Sequence, residues 1–472
     1  MIKDKNMLKM SSRSILIPLL LLFLGGCALG PNYQKPAALV PIHYKNDAPW
    51  KTATPSDQLE KGNWWEIYAD DSLNGLEQQA NAANQTLKAA YARLTQAQAA
   101  AGISKADRVP RLDLNASANR SRTPGAFSST GSGVVGNQFR LPLTLGYEID
   151  LFGRVKRSIE AAEADAASAT ADYQALLLLL QSDLARSYFS LRELDTEISL
   201  LQRTLKLRNE SLKMIQSQFD HGLIGQLDLL RAQTELAATD AEAIGLQRQR
   251  DQLENGIALL VGQSPSNFTL TAAPLKLNIP AVTPGLPSSL LERRPDVAAA
   301  ERQMAAASAR IGVAKTAFFP AISLTGSAGF GSTQISNLFS LDNRSWGLGP
   351  AISLPIFDGG RNSANLERAR AAYEEAIANY RQQVLVAFGE VEDGLNGLQS
   401  LAQQAQALQR SVDAATQAWQ ISEKRYNAGL VSYLEVIDAQ RSALQSERLL
   451  NQNRGLQMTT SVLLVKALGG GW

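Results

Sequence analysis

Residues 184–223 read LARSYFSLRELDTEISLLQRTLKLRNESLKMIQSQFDHGL. Leu184, Leu191, Ile198, Leu205, Leu212 and Phe219 recur every seven residues, and Leu194, Leu201 and Ile215 fill the second seam position. A strict seven-residue repeat keeps one apolar stripe against a partner only if the helices supercoil left-handed, so the stretch predicts a coiled coil. From Arg154 to Phe219 the chain runs 66 residues without Gly or Pro. One unbroken helix of that length is about 100 Å long, at about 1.5 Å per residue. Gly222 stands where this helix should stop, because glycine accepts the left-handed conformation of a helix end. A second helix is expected from Leu227 onward, which makes a long helical hairpin.

The same pattern returns later in the chain. Gln218-Phe219-Asp220-His221-Gly222-Leu223 parallels Arg425-Tyr426-Asn427-Ala428-Gly429-Leu430, 207 positions on. That offset also pairs Arg154 with Arg361, Tyr173 with Tyr380, Leu227 with Leu434 and Asp228 with Glu435. The heptad survives with smaller residues at Val391, Leu398, Ala405, Val412, Trp419 and Tyr426. An earlier register, offset by 210, pairs Gly102, Lys105 and Pro110 with Gly312, Lys315 and Pro320. The unit is far too long for a solenoid repeat and reads as a duplicated domain. The expected organisation is a first repeat over 71–262, a Pro- and Ser-rich linker over 263–291, and a second repeat over 292–472. Each repeat holds a helix, a β-hairpin (110–152 and 319–358) and a long helical hairpin (154–261 and 361–468).

The hairpins are read from a change of period. Phe139, Leu141, Leu143, Leu145, Tyr147, Ile149 and Leu151 alternate with Gln138, Arg140, Thr144, Glu148 and Asp150. Leu112, Leu114, Ala116 and Ala118 alternate with polar residues in the same way. In the second repeat Ile322, Leu324, Ala328 and Phe330 face one way, as do Trp346, Leu348, Ile352, Leu354 and Ile356. A period of two means strands with one apolar and one polar face. Strands of about nine to eleven residues cross a bilayer when tilted. Four strands cannot close a barrel, and open edges in lipid leave backbone groups unsatisfied. Sharing strands between copies removes the edges: a dimer supplies eight and a trimer twelve.

The N-terminus reads as a targeting segment. Lys3, Lys5, Lys9 and Arg13 precede a short apolar run from Ile15 to Leu24, which ends in Leu24-Gly25-Gly26-Cys27. The run is too short to span a bilayer and fits a signal-peptide core over 1–26. It resembles a bacterial lipoprotein signal, in which cleavage precedes the cysteine and lipid is attached to it. Cys27 is the only cysteine of the chain, and Ala28 after it implies sorting to the outer membrane. Residues 27–70 are then a lipid-anchored N-terminal segment.

Composition excludes several classes. Lys plus Arg total 46 against 44 Asp plus Glu, a net charge of +2, which gives no reason to expect nucleic acid. One cysteine and two histidines leave no Cys/His metal site and no intrachain disulfide. No carboxylates form an acid–base pair, and Gly359-Gly360 and Gly469-Gly470-Gly471 lack the phosphate-loop spacing. Neither enzyme activity nor a cofactor is expected. A second class, a coiled-coil lipoprotein spacer, has no use for the alternating strands.

Ordered along the chain are further pieces: Trp64-Trp65 with Asp71, Leu73, Asn84 and Leu87; Arg294-Pro295-Asp296-Val297 with Ala300-Glu301; Ile356-Phe357-Asp358-Gly359-Gly360; and Tyr426-Asn427-Ala428-Gly429. With the repeat and the lipid signal, the chain resembles the TolC-type outer-membrane efflux proteins, in the lipoprotein branch serving resistance–nodulation–division pumps. The resemblance implies an α+β membrane protein: a homotrimer whose four strands per chain make a twelve-stranded β-barrel, continued into a helical periplasmic tunnel. It also implies a periplasmic adaptor and an inner-membrane pump as partners, and small-molecule export rather than type I protein secretion.

The candidate site lies just past the helical-hairpin turns, where Asp228 and Arg231 answer Glu435, Asp438 and Arg441. Symmetry around a pore axis turns such residues into rings, and acidic rings favour cations. The resemblance places the closed periplasmic gate at Asp228, Leu434, Glu435 and Asp438, with Tyr426 beside it. It places adaptor docking at the tip turns, Gly222-Leu223 and Gly429-Leu430. Better-known members carry an arginine shortly after the second glycine, where this chain has Leu430-Val431. A weaker ionic latch is expected, with Leu434 giving a hydrophobic closure.

Overall fold

The computed structural model describes residues 28–34, 62–127, 131–280 and 293–470. The signal segment and Cys27 lie outside the described residues. Twelve elements concern the argument: α1 (Asp71–Ala83), α2 (Gln85–Ala106), β1 (Arg111–Leu114), β2 (Ser117–Thr123), β3 (Val134–Ile149), α3 (Arg154–Asp220), α4 (Gln226–Leu260), α5 (Pro295–Thr316), β4 (Ala321–Ser332), β5 (Arg344–Ser353), α6 (Arg361–Asn427) and α7 (Tyr433–Ala467). The internal repeat shows in their lengths. α2 and α5 have 22 residues each, α3 and α6 have 67, and α4 and α7 have 35. The 210 offset relates α2 to α5 at both ends, and the 207 offset relates the long helices at both ends. The three-residue slip therefore falls inside the β-hairpins. Among the described residues no helix is long and apolar enough to cross a membrane.

The chain forms two compact units. The first comprises residues 94–169 and 300–380 with the N-terminal piece, and contains the sheet. Its strands are all antiparallel, in the order β1-β3-β4-β5, with β2 also on β3. β1 and β2 are one strand in a single register against β3, as Leu114↔Leu143 and Ser117↔Arg140 show. The ladder skips Asn115 and Ala116 because Pro142 opposite has no N–H to donate, although Asn115 N–H still donates to the Pro142 carbonyl at 3.0 Å. Four strands thus stand as expected, one of them interrupted.

Register sorts the side chains. Leu112↔Leu145↔Gly326↔Leu348 and Leu114↔Leu143↔Ala328↔Trp346 run across all four strands on one face. Asp113↔Thr144↔Ser327↔Gly347 runs across the other. The apolar face lies open, with Leu112, Leu348, Ile352 and Trp346 largely exposed. β1–β2 and β5 are edges of this sheet, with unpaired backbone groups on their outer sides. At the strand ends Ala28–Gly30 packs closely. Leu29 N–H donates to the Phe152 carbonyl at 3.1 Å, and Arg157 donates to the Leu29 carbonyl at 3.2 Å. Gly30 and Gly312 approach so closely that a Cβ on Gly30 would lie 2.6 Å from the Gly312 Cα.

The second unit comprises residues 62–93, 170–280, 293–299 and 381–470. Its core joins Trp64, Trp65, Tyr68 and Leu73 to Leu184, Tyr188, Leu191, Ile257, Met458 and Val462. The heptad leucines of α3 are buried at Leu184, Leu191, Leu194 and Leu201, as coiled-coil seams must be. The segment after α4, expected as a linker, carries no helix or strand over 268–280 but is firmly held. Asp195 is buried between Arg192 (2.8 Å) and Arg250 (2.7 Å) and accepts from Ala273 N–H at 3.0 Å. Arg192 donates to the Thr271 carbonyl at 2.7 Å, and Glu254 accepts from Leu270 N–H at 2.6 Å. A buried ion triad thus ties this strap to both helices of the first hairpin.

Candidate functional site

The two hairpin tips are built alike. Gly222 and Gly429 take φ of 74° and 73°. Leu223 N–H closes onto the Gln218 carbonyl and Leu430 N–H onto the Arg425 carbonyl, both at 2.9 Å. Such closure satisfies the last carbonyls of each helix and reverses the chain within a few residues. Leu223 and Leu430 project from the tips, 74% and 71% exposed. A small core lies just behind: Ile215, Leu229, Ala232, Tyr433, Val436 and Ile437, with Phe219, Trp419 and Tyr426 packed against it.

This core turns the gate candidates outward. Tyr433, Val436 and Ile437 occupy the inner face of α7, so Leu434, Glu435 and Asp438 fall on the open one. Leu434 is 39% exposed, and the Glu435 and Asp438 side chains 50% and 62%. Glu435 reaches Arg425 at 3.6 Å, and Asp438 reaches Arg441 only at 3.9 Å. Such exposed pairs hold their partners weakly. Asp228 sits at the first turn of α4, half-buried, 3.4 Å from Arg231. Tyr426 joins the two hairpins: its hydroxyl donates to Gln218 Oε1 at 2.9 Å, and its ring lies 5.5 Å from that of Tyr433. Burial, then the Asp228 carboxylate, pushes the Tyr426 phenol up, so it stays a neutral donor. The structure therefore brings Asp228 and Tyr426 together. Leu434, Glu435 and Asp438 form a separate, outward patch on α7.

Sequence reading named Arg441 but missed its partner and the charged residues further along the same helices. Arg441 of α7 pairs with the buried Glu235 of α4, which Arg208 of α3 also holds at 3.0 Å. One heptad later, Arg448 of α7 bonds Glu197 of α3 at 2.5 Å and pairs with Glu242 of α4. Arg203 and Glu447 add a looser contact at 3.7 Å. The signal was present: Arg441 and Arg448 are seven apart, as are Glu235 and Glu242, so a basic stripe faces an acidic one at heptad spacing. These ion pairs lie deeper along the helices than Leu430-Val431.

An antiparallel sheet with an exposed apolar face and two open edges, in a chain with helices of 67 residues, defines a class: an outer-membrane channel protein with a periplasmic helical portion. The chain belongs to the outer membrane efflux protein family, whose model matches residues 76–263 and 286–470. It is 36% identical over 464 residues to a solvent efflux pump outer membrane protein of Pseudomonas putida, covering 96% of this chain and 97% of that one. It is 32% identical over 457 residues to the cation efflux system protein CusC of Escherichia coli, covering 96% and 97%. The solved outer-membrane channel OprN superposes with a TM-score of 0.87 at 33% identity, covering 94% of this chain and all of that one. The fold class is that of these channels, α+β with a trimeric twelve-stranded barrel and a helical tunnel, and the protein is an outer-membrane exit duct of an efflux system.

Proposed function

We propose that the chain works as a homotrimeric, passive conduit that receives small molecules from a periplasmic adaptor and an inner-membrane resistance–nodulation–division pump. The observation that carries this reading is the sheet itself: two unpaired edges flank a face apolar from Leu112 to Trp346. Threefold repetition pairs every edge and leaves no backbone group unsatisfied in lipid. No catalytic step or cofactor is needed. The named cargoes of two equally complete relatives, a solvent and a cation, differ, so the choice of cargo falls to the pump. Small organic molecules, solvents and antibiotics among them, are the cargo proposed here.

At the helix tips, Asp228, Leu434, Glu435, Asp438 and Tyr426 form the periplasmic gate. Threefold copying brings Leu434 and the two carboxylates of α7 toward one axis, where like charges repel unless a cation or an arginine intervenes. The Arg441 and Arg448 pairs hold α7 against the first hairpin, and contact of the adaptor with Gly222-Leu223 and Gly429-Leu430 tips that balance. Lipid on Cys27 anchors the mature chain, since Ala28–Gly30 is fastened at the base of the strands.

Accumulation of a fluorescent pump substrate in cells with and without the chain tests the reading. Cells that carry it should retain less dye, and collapse of the proton gradient should abolish the difference. Equal retention in energised cells would overturn it.

A further inference from the structure

The charges on the sheet divide by height. At the helix-proximal end the arginines have carboxylates: Arg111 of β1 pairs with Asp113 at 2.9 Å, and Arg154, the first residue of α3, with Glu148 of β3 at 2.6 Å. At the far end stand Arg120, Arg122, Arg140 and Arg344, and no Asp or Glu occurs in β2, in Val134–Arg140 or in β4. No carboxylate pairs with Arg120, Arg122 or Arg344 among the described residues, Asp342 of the β4–β5 loop included.

Register gives their faces. Arg120 lies opposite Asn137 and Arg122 opposite Val135, in line with Ala118↔Phe139 on the apolar face. Arg344 lies opposite Phe330, itself opposite Leu141, on that same face. Arg140, opposite Ser117 and Gly331, is on the polar face. Three arginines therefore point to the lipid side. The Arg122 guanidinium folds back over the loop, where a Cβ on Gly133 would lie 3.0 Å from its Nε.

Their height is that of headgroups. From Phe139 to Ile149 the outward side chains are apolar throughout. Ten steps of about 3.3 Å, tilted about 40°, span about 25 Å, the height of a barrel's apolar band. Phe139 stands at its far rim, and Phe330 and the 81% exposed Trp346 follow just inside it, level with Leu141 and Leu143. Arg120 and Arg122 stand just beyond this rim, and the long Arg344 side chain can snorkel up to it. The cluster also straddles the sheet edges, because β2 and β5 are the two that have no partner on one side. In the closed trimer Arg344 of one copy and Arg120 and Arg122 of the next lie on adjoining strands.

We propose that these three arginines form, at each seam between copies, a binding site for the phosphate groups of an outer-leaflet lipid. Unpaired guanidiniums match phosphate in charge and in forked donor geometry, and basic clusters at the membrane surface gain from anionic headgroups. The inference rests on the trimeric barrel, so its test scores assembly separately.

Purified trimer, stripped of lipid in detergent, is titrated with bisphosphorylated lipid A and with the same lipid lacking phosphate, and binding is read by native mass spectrometry. Wild type should prefer the phosphorylated form by about tenfold or more. Arg120→Gln with Arg122→Gln and Arg344→Gln should erase the preference in intact trimers, and each single change should weaken it several-fold. Arg140→Gln should leave it unchanged. Equal binding of both lipids by wild-type trimers, or a preference that survives the triple change, overturns the site and spares the barrel. Failure of the wild-type chain to form trimers overturns both.

Discussion

The two helical hairpins share a backbone and differ in their surfaces. Both pair a helix of 67 residues with one of 35, and both turn on a glycine, at φ of 74° and 73°. Across the 207 offset, however, Asp228-Arg231 becomes Glu435-Asp438. The first repeat holds its half-buried acid 3.4 Å from Arg231, and the second sets two more exposed acids on one open face, in longer pairs at 3.6 and 3.9 Å. The buried Asp195 of the first repeat corresponds to Ala402, and Glu193 to Ser400. Duplication has kept what backbone geometry requires and freed the side chains. One hairpin carries a buried ion triad, and the other an exposed acidic face.

The largest effect should come from the support. Asp195→Ala strands Arg192 and Arg250 in the interior, and breaking such a buried pair costs about 3–5 kcal/mol. Denaturant unfolding of the purified trimer should register the loss, while Ala402→Ser in the other repeat should change it little. A smaller and symmetric effect is expected at the turns. Gly222→Ala and Gly429→Ala each force a left-handed residue, at about 1–2 kcal/mol, and similar shifts in melting temperature would confirm the shared backbone. Unequal shifts would break that half of the comparison.

A subtler asymmetry concerns pH. Burial, then the neighbouring Glu197, pushes the Glu193 carboxyl up to about 7. The folded chain then holds a proton that the unfolded chain releases at about pH 4.3, so stability falls as pH rises from about 4.5 to about 7 and levels off above. Glu193→Gln should remove part of that slope in thermal melts. Glu77, which burial pushes up to about 9, should keep its own share. A slope unchanged by Glu193→Gln would place the effect elsewhere.

Much of this was legible in the sequence because periodicity survives folding. Heptads at Leu184–Phe219 mark the long helices, alternation at Phe139–Leu151 marks the sheet, and Gly222 and Gly429 mark the tips. The interruption at Asn115 is less visible, since it depends on Pro142 lying across the ladder rather than in the same strand. The strap over 268–280 has the composition of a loop; what holds it, the Asp195 triad, is set by tertiary contacts. The gate residues rest on the family resemblance and on the match between the two repeats. The Arg441–Glu235 and Arg448–Glu197 pairs leave only a heptad spacing of charges in the sequence, because a charge on a long helix looks solvated until the facing helix is known.

The central claim is that the pore closes on the second repeat, at the open face of α7. Single-channel conductance in planar bilayers tests it most directly, with trimer assembly checked for each variant. Leu434→Ser combined with Asp438→Ala should raise conductance several-fold, and Leu227→Ser, the equivalent leucine of the first repeat, should leave it near wild type. Unchanged conductance in the first variant, or an equal rise in both, would contradict the account.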